Sequence, residues 1–228
     1  MTVLDVACVS ASGTERRHLP VRALVVAGLT GRDTEAVEHH LHELAAIGVK
    51  APSRIPAYFR NTFSLITHGT AIEVLGPDTS GEVEFVLVGM EDGLWVGLGS
   101  DHTDRRVEAV AIDVSKQLCA KVIAPVLWRF DELAAHWDRL TLRAWIEEGE
   151  EGLTPYQDGT VAAIRRPEDL IAGYTGGAPL PLGTVMFGGT FGAIGGIRPS
   201  PRFEMELADP VLGRAIRHGY TASVLPLA

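Results

Sequence analysis

The nine residues Gly81-Glu82-Val83-Glu84-Phe85-Val86-Leu87-Val88-Gly89 constrain this chain more than any other segment. A run rich in β-branched and aromatic residues between two glycines reads as a β-strand. Side chains alternate along a strand, so Glu82 and Glu84 share a face with Val86 and Val88, and Val83, Phe85 and Leu87 fill the other. Both faces are apolar enough to be covered, and the two carboxylates enter with them. Like charges at adjacent same-face positions repel, and burial makes each ionised form worse. Two readings fit the spacing. In one, the start of the strand is solvated and both carboxylates reach water. In the other, a divalent cation sits between them. A hard cation takes oxygen ligands, and Asp101, in the segment Gly99-Ser100-Asp101-His102-Thr103-Asp104-Arg105, can supply a third carboxylate.

The 228 residues suffice for one sizeable core, or a core with a small lobe. A hydrophobic content of 46% and a charged content of 21% place the chain among ordinary globular proteins. Asp plus Glu (29) exceed Lys plus Arg (20), giving a net charge of −9. With no basic run, this argues against nucleic-acid binding. No apolar stretch is long enough for a membrane span. Met1 to Val6 lacks the charged start and apolar block of a signal peptide, which predicts a cytoplasmic protein. Cys8 and Cys119, the only cysteines, are then expected to be reduced thiols.

Strands are expected over Leu4–Val9 and His18–Ala27, followed by a helix capped by Asp33 or Thr34 and ended by Gly48. The proline-bearing connector Lys50–Pro56 marks a seam. The predicted division is a small N-terminal αβ lobe over residues 1–50 and a main body over 51–228. Strands are expected at Phe63–Thr67, Ala71–Leu75, Glu82–Val88, Trp95–Leu98, Leu140–Ile146, Thr184–Phe187, Phe203–Leu207 and Tyr220–Leu225. One long helix is expected over Asp104–Leu118, with Val107, Val110, Ala111, Val114 and Leu118 inward, and a shorter one over Asp131–Trp137.

Four segments, in order, resemble motifs of the fumarylacetoacetate hydrolase superfamily. Glu82 to Gly89 is similar to its E-x-E strand. Ser100-Asp101-His102-Thr103-Asp104-Arg105 is similar to its N-D-x-S-x-R segment, with serine in place of asparagine. Leu140 to Thr160 is similar to its strand, hairpin and Q-D-G-x-T element. Leu182 to Thr190 is similar to G-D-x-I-x-T-G-T, with Gly183-Thr184 for the usual Gly-Asp. The chain looks closest to a bacterial subgroup without an assigned activity. The resemblance implies an α+β protein with a mixed, mainly antiparallel β-roll, and a homodimer.

It also implies that Glu82, Glu84 and Asp101 hold Mg2+ or Mn2+, or Ca2+ as in some members. The implied substrate is a small 2-oxo or 1,3-diketo acid whose carbon–carbon bond breaks through a metal-stabilised enolate. Lys121 falls near the family's substrate-polarising lysine, with Lys116 as its rival; a surface lysine is the other reading of each. Arg105 either forks onto a substrate carboxylate or holds Asp101 or Asp104. Gly189 and Thr190 lie in a glycine-rich segment whose N–H groups can form an anion nest, or a plain tight turn. Gln157 either reaches the substrate or serves its hairpin. The family's hydrolases carry a His-x-x-Glu pair on a lid. His40 and Glu43 match it, one helical turn apart, with His40 to activate water and Glu43 to orient it. A solvated face is the other reading of that acidic helix. His102, beside Asp101, is a further base candidate. A 2-keto acid hydratase or dehydratase, and a non-catalytic metabolite binder on the same scaffold, are the alternative functions.

Overall fold

The structure is a computed structural model that describes residues 2–35, 54–149 and 152–226. The chain opens with β1 (Thr2–Ser10), β2 (Gly13–Val21) and β3 (Ala23–Gly28). After β4 (Ala57–Asn61) come β5 (Ile66–Thr67), β6 (Ala71–Leu75) and β7 (Thr79–Ser80). The long hairpin β8 (Val83–Met90) and β9 (Gly93–Asp101) leads to β10 (Thr103–Asp104) and two one-turn helices, α1 (Arg105–Glu108) and α2 (Ile112–Ser115). Next are β11 (Lys121–Ile123), β12 (Val126–Arg129), the hairpin β13 (Thr141–Glu147) and β14 (Leu153–Thr160), and α3 (Pro167–Thr175). The last strands are β15 (Thr184–Phe187), β16 (Arg202–Asp209) and β17 (Arg214–Leu225).

The strands form the mixed β-roll of an α+β protein. A curled ten-stranded sheet runs β2-β1-β12-β9-β8-β15-β3-β4, with β11 beside β9 and β5 beside β11. Most pairs are antiparallel; β1 with β12, β15 with β3, and β11 with β5 are parallel. A five-stranded sheet, β14-β13-β16-β17-β6, packs against it. The alternation expected of β8 holds. Val83, Phe85 and Leu87 join the core shared with Leu142, Ala144, Met205, Leu207 and Tyr220. Val86 and Val88 join a second core with Leu24, Val26, Ile123, Val185 and Phe187. A strand covered on both faces needs such a continuous apolar run.

The predicted division at residue 50 does not coincide with the sheet. β1 and β3 are inner strands of the ten-stranded sheet, so residues 2–28 belong to the main body. Arg22 connects β2 to β3, and the Gly183 carbonyl holds this turn by accepting from the N–H groups of both Arg22 and Ala23. There the chain leaves β1 and takes up β15. The helix predicted over 33–48, with His40 and Glu43, falls almost wholly outside the described residues. At its start Asp33 Oδ1 accepts from the Glu35 N–H at 3.0 Å, as a cap does.

The long helix expected over Asp104–Leu118 is replaced by α1 and α2, with Ala111 between them in extended backbone (φ −152°, ψ 98°). Its expected inward face is also wrong. Val110, Val114 and Leu118 are 85%, 48% and 45% exposed. Arg105 and Lys116 turn inward instead, because buried carboxylates lie on that side. Charge, not the apolar stripe, orients this segment. The strand expected at Phe63–Thr67 is a 3-10 turn followed by two strand residues. The helix α3 was not expected, although Pro167 at its first turn and the left-handed Gly176 at its end are ordinary start and stop signals. Among the described residues no helix is long and apolar enough to cross a membrane.

Phe85 sits at the join of the two sheets. Its ring meets Trp137 edge-on with centroids 5.0 Å apart, and a Cβ on Gly188 would lie 2.1 Å from it. Phe85→Ala is expected to cost about 3–5 kcal/mol of stability, read by urea denaturation. A loss under about 1 kcal/mol would mean that the site collapses freely and that Phe85 does not join the sheets.

Candidate metal centre

Backbone pairing assembles the acidic cluster. Glu82 immediately precedes β8, and its carbonyl accepts from the Asp101 N–H at 3.1 Å. The next residues continue as the β8–β9 ladder, Val83 opposite Ser100 and Glu84 opposite Gly99. The ladder therefore brings a residue near position 100 alongside the acidic pair. One carboxylate oxygen from each of Glu82, Glu84 and Asp101 lies within 4.8 Å of the others. Glu84 and Asp101 are buried and Glu82 is half-buried. The reading in which both glutamates stand in water is thereby excluded for Glu84.

Lys121 comes from β11, whose antiparallel register sets it directly opposite Asp101. Its wholly buried Nζ lies 2.5 Å from Asp101 Oδ1 and donates to the His102 carbonyl at 2.7 Å. Lys116 approaches from α2. Its Nζ lies 2.7 Å from Asp101 Oδ2, 3.4 Å from Glu82 Oε2 and 3.4 Å from Glu108 Oε1, and it donates to Thr103 Oγ1 at 3.2 Å. Neither lysine is a surface group. Arg105 does not hold Asp101 or Asp104. It donates to Glu82 Oε1 at 3.0 Å, Glu108 Oε2 at 2.7 Å and Ser80 Oγ at 2.7 Å. Its Nη2 is buried with no partner. Asp104 instead caps α1 through the Val107 N–H at 2.9 Å.

The electrostatics follow from this placement. Burial pushes the Glu84 carboxyl well above the usual range, and the Asp101 and Glu82 charges add to it; the Gly189 N–H and Lys116 oppose this only in part. Burial also works against Asp101, but Lys116 and Lys121 outweigh it and hold its pKa down at about 2. Burial disfavours the Lys116 ammonium, yet Asp101, Glu82 and Glu108 raise its pKa above the ordinary lysine range. The ion pairs on Asp101 are short but poorly directed, and neither of its buried oxygens receives an aligned hydrogen bond. Uncommitted lone pairs on a buried carboxylate, next to a carboxyl that resists ionising, fit a divalent cation with oxygen ligands.

The glycine-rich segment after β15 acts on this cluster from behind. The Gly189 N–H donates to Glu84 Oε2 at 2.6 Å. Gly189 has φ +99°, and a Cβ there would lie 1.8 Å from Thr30 Oγ1, so no other residue fits without displacement. Thr190 Oγ1 donates to the Val83 carbonyl at 2.7 Å. Gln157 Oε1 accepts from the Val83 N–H at 2.9 Å, and its Nε2 donates to Thr190 Oγ1 and the Phe191 carbonyl. Gln157 and Thr190 thus clamp the peptide between Glu82 and Glu84, and their polar atoms face the protein. His102 is no free base. Its ring nitrogens contact Tyr220 Oη at 2.8 Å and Thr79 Oγ1 at 2.9 Å, and burial, with Lys121 and Arg105, lowers its pKa to about 3. Both cysteines are buried free thiols.

Sequence reasoning missed Glu108, Ser80, Tyr220 and Thr79. Glu108 had a signal, since it lies three residues after Arg105 on a helix. The other three are brought in by long-range pairing and had none.

Comparison with known proteins agrees with this architecture. Residues 27–220 match the model of a family described as "Protein of unknown function (DUF2848)". The chain belongs to this family. No curated protein matches this DUF2848 chain. Among solved structures, it is similar to a putative fumarylacetoacetate isomerase/hydrolase from Oleispira antarctica, at 17% identity and a TM-score of 0.66 over 98% of this chain and 100% of that one. A fumarylacetoacetate hydrolase family protein from yeast gives 17% and 0.65 over 92% and 96%. A 2-keto-3-deoxy-D-arabinonate dehydratase, solved with magnesium and 2,5-dioxopentanoate, gives 17% and 0.64 over 96% and 79%. At this identity the likeness establishes the fold, which is that of the fumarylacetoacetate hydrolases.

Glu84→Gln separates charge from shape. Because the folded pKa of Glu84 is raised, its ionised form costs stability at neutral pH. With chelator present, the variant is expected to melt higher than the parent at pH 7. The difference should fade as pH falls through the raised pKa toward the ordinary glutamate value of about 4.3. The variant should also lose the rise in Tm that Mn2+ gives the parent. A variant that melts lower in chelator and keeps the Mn2+ response would contradict the assignment.

Proposed function

We propose that this chain is a divalent-metal-dependent enzyme that acts on a small 2-oxo or 1,3-diketo acid and cleaves a carbon–carbon bond, by hydrolysis or decarboxylation. The observation that carries the reading is the convergence of Glu82, Glu84 and Asp101 beside the buried Lys121. These three residues would hold Mg2+ or Mn2+, and the ion when bound supplies Lewis acidity toward the oxygens of an oxo-acid.

The chain's own residues account for the remaining needs. Lys121 donates one N–H to the His102 carbonyl, and its ammonium lies 2.5 Å from Asp101 Oδ1 without an aligned hydrogen bond. An ammonium has three N–H groups, so a donor remains for a substrate oxygen on which negative charge develops. The buried, unpartnered Nη2 of Arg105 suits a substrate carboxylate oxygen. The tight satisfaction of His102 removes it from proton transfer. For hydrolysis, His40 oriented by Glu43 is the proposed base.

A second reading, dehydration or hydration of a 2-keto acid, is favoured by one observation: a dehydratase of the same fold was solved with magnesium and a dioxo acid. That reaction needs no water-activating pair.

The test is turnover by the purified protein with Mn2+ or Mg2+ against acylpyruvates, oxaloacetate and 2-keto-3-deoxy acids. Metal-dependent turnover is expected, with Lys121→Met lowering kcat about 10²–10³-fold. Loss of activity in His40→Ala would favour hydrolysis, and its retention the lyase readings. Turnover that survives chelation would overturn the metal mechanism. A ligand-induced rise in Tm without turnover on any substrate would leave a binding protein.

A further inference from the structure

The two lysines on Asp101 are not equivalent. Lys121 is wholly buried on a strand, and among the described residues its ion pair is with Asp101 alone, through Oδ1. Lys116 follows a one-turn helix and reaches three carboxylates at once: Asp101 Oδ2 at 2.7 Å, Glu82 Oε2 at 3.4 Å and Glu108 Oε1 at 3.4 Å. Two of these belong to the proposed ligand set, and the third does not. A cation held by Asp101 and Glu82 and the ammonium beside them compete for the same two carboxylates and repel each other. Glu108, 26% exposed in its side chain and already bonded to Arg105 at 2.7 Å, offers Lys116 an ion pair away from the centre.

We propose that Lys116 is a built-in competitor for the divalent cation: it shares Asp101 and Glu82 with the metal, and Glu108 receives its ammonium when the metal takes those oxygens. Lys116 and Glu108 together then set how tightly the metal is held. This inference rests on the metal-centre reading above and adds a residue pair that tunes its affinity. The lysine acts as a positioning and tuning group, and it need not touch the substrate.

The experiment is calorimetric titration of the chelator-treated protein with Mn2+, in the parent, Lys116→Met, Glu108→Gln and the double variant. Removing one like charge beside the cation is expected to tighten binding at least about tenfold in Lys116→Met. Glu108→Gln is expected to weaken it several-fold in the parent background and to have little effect once Lys116 is gone, a coupling that a simple loss of negative charge would not show. A crystal of the parent with Mn2+ supplies a readout that survives a poorly folding variant: Lys116 Nζ should lie on Glu108 and out of contact with Asp101. Equal or weaker binding in Lys116→Met, or a Glu108 effect unchanged by the lysine, overturns this inference while Mn2+ binding by the parent upholds the centre. So does a Mn2+-loaded crystal with Lys116 still on Asp101. Binding in neither parent nor Lys116→Met overturns the inference and the metal reading together.

Discussion

The repulsion among three converging carboxylates is the constraint that the rest of this molecule answers. Glu82, Glu84 and Asp101 are crowded by strand pairing that also builds the core, their backbones held together by the β8–β9 ladder and the Asp101 N–H to Glu82 carbonyl bond that extends it. The structure offsets their charge with cations of three kinds of reach. Lys121 is wholly buried and strand-borne, Arg105 bridges Glu82 and Glu108 through Nη1, and Lys116 reaches Asp101, Glu82 and Glu108. Buried ion pairs of this sort gain little net stability. Their place in a largely apolar interior suits the metal-binding role proposed above.

The surrounding polar groups hold the cluster's shape. Gln157 and Thr190 grip both backbone atoms of Val83, which fixes the spacing of the glutamates on either side. Gly189 brings an N–H to Glu84 that only a residue without a Cβ can bring so close to Thr30. Ser100, Tyr220, His102 and Thr79 form a buried chain of contacts on the far side of Asp101. Such support is what keeps a site within the narrow geometry that function needs.

Much of this was legible in the chain, for identifiable reasons. The alternation Val83, Phe85, Leu87 against Glu84, Val86, Val88 is a local period, so the strand and its two cores could be read directly. Asp101 could be tied to Glu82 and Glu84 because it lies one hairpin away. The segment Asp104–Leu118 was misread because its apolar residues repeat at helical spacing, while its ion pairs depend on partners distant in sequence. The roles of Gln157 and Thr190 were similarly hidden, since each looks like a free polar group until Val83 is placed beside it. The inclusion of β1 and β3 in the main sheet rests on parallel pairing with β12 and β15, which leaves no local signature.

The cross-strand placement of Lys121 against Asp101 bears on how the chain finds its fold. β11 is only three residues long and has β9 on one side and the two-residue β5 on the other, so its backbone alone defines alignment weakly. A slip by one residue would set Ala120 or Val122 beside Asp101 and leave the Lys121 ammonium in the interior without its carboxylate. An uncompensated buried charge costs several kcal/mol, on the order of 3–5. The pair therefore acts as a proofreader of the sheet's assembly, rejecting misaligned arrangements that hydrophobic packing by itself would tolerate.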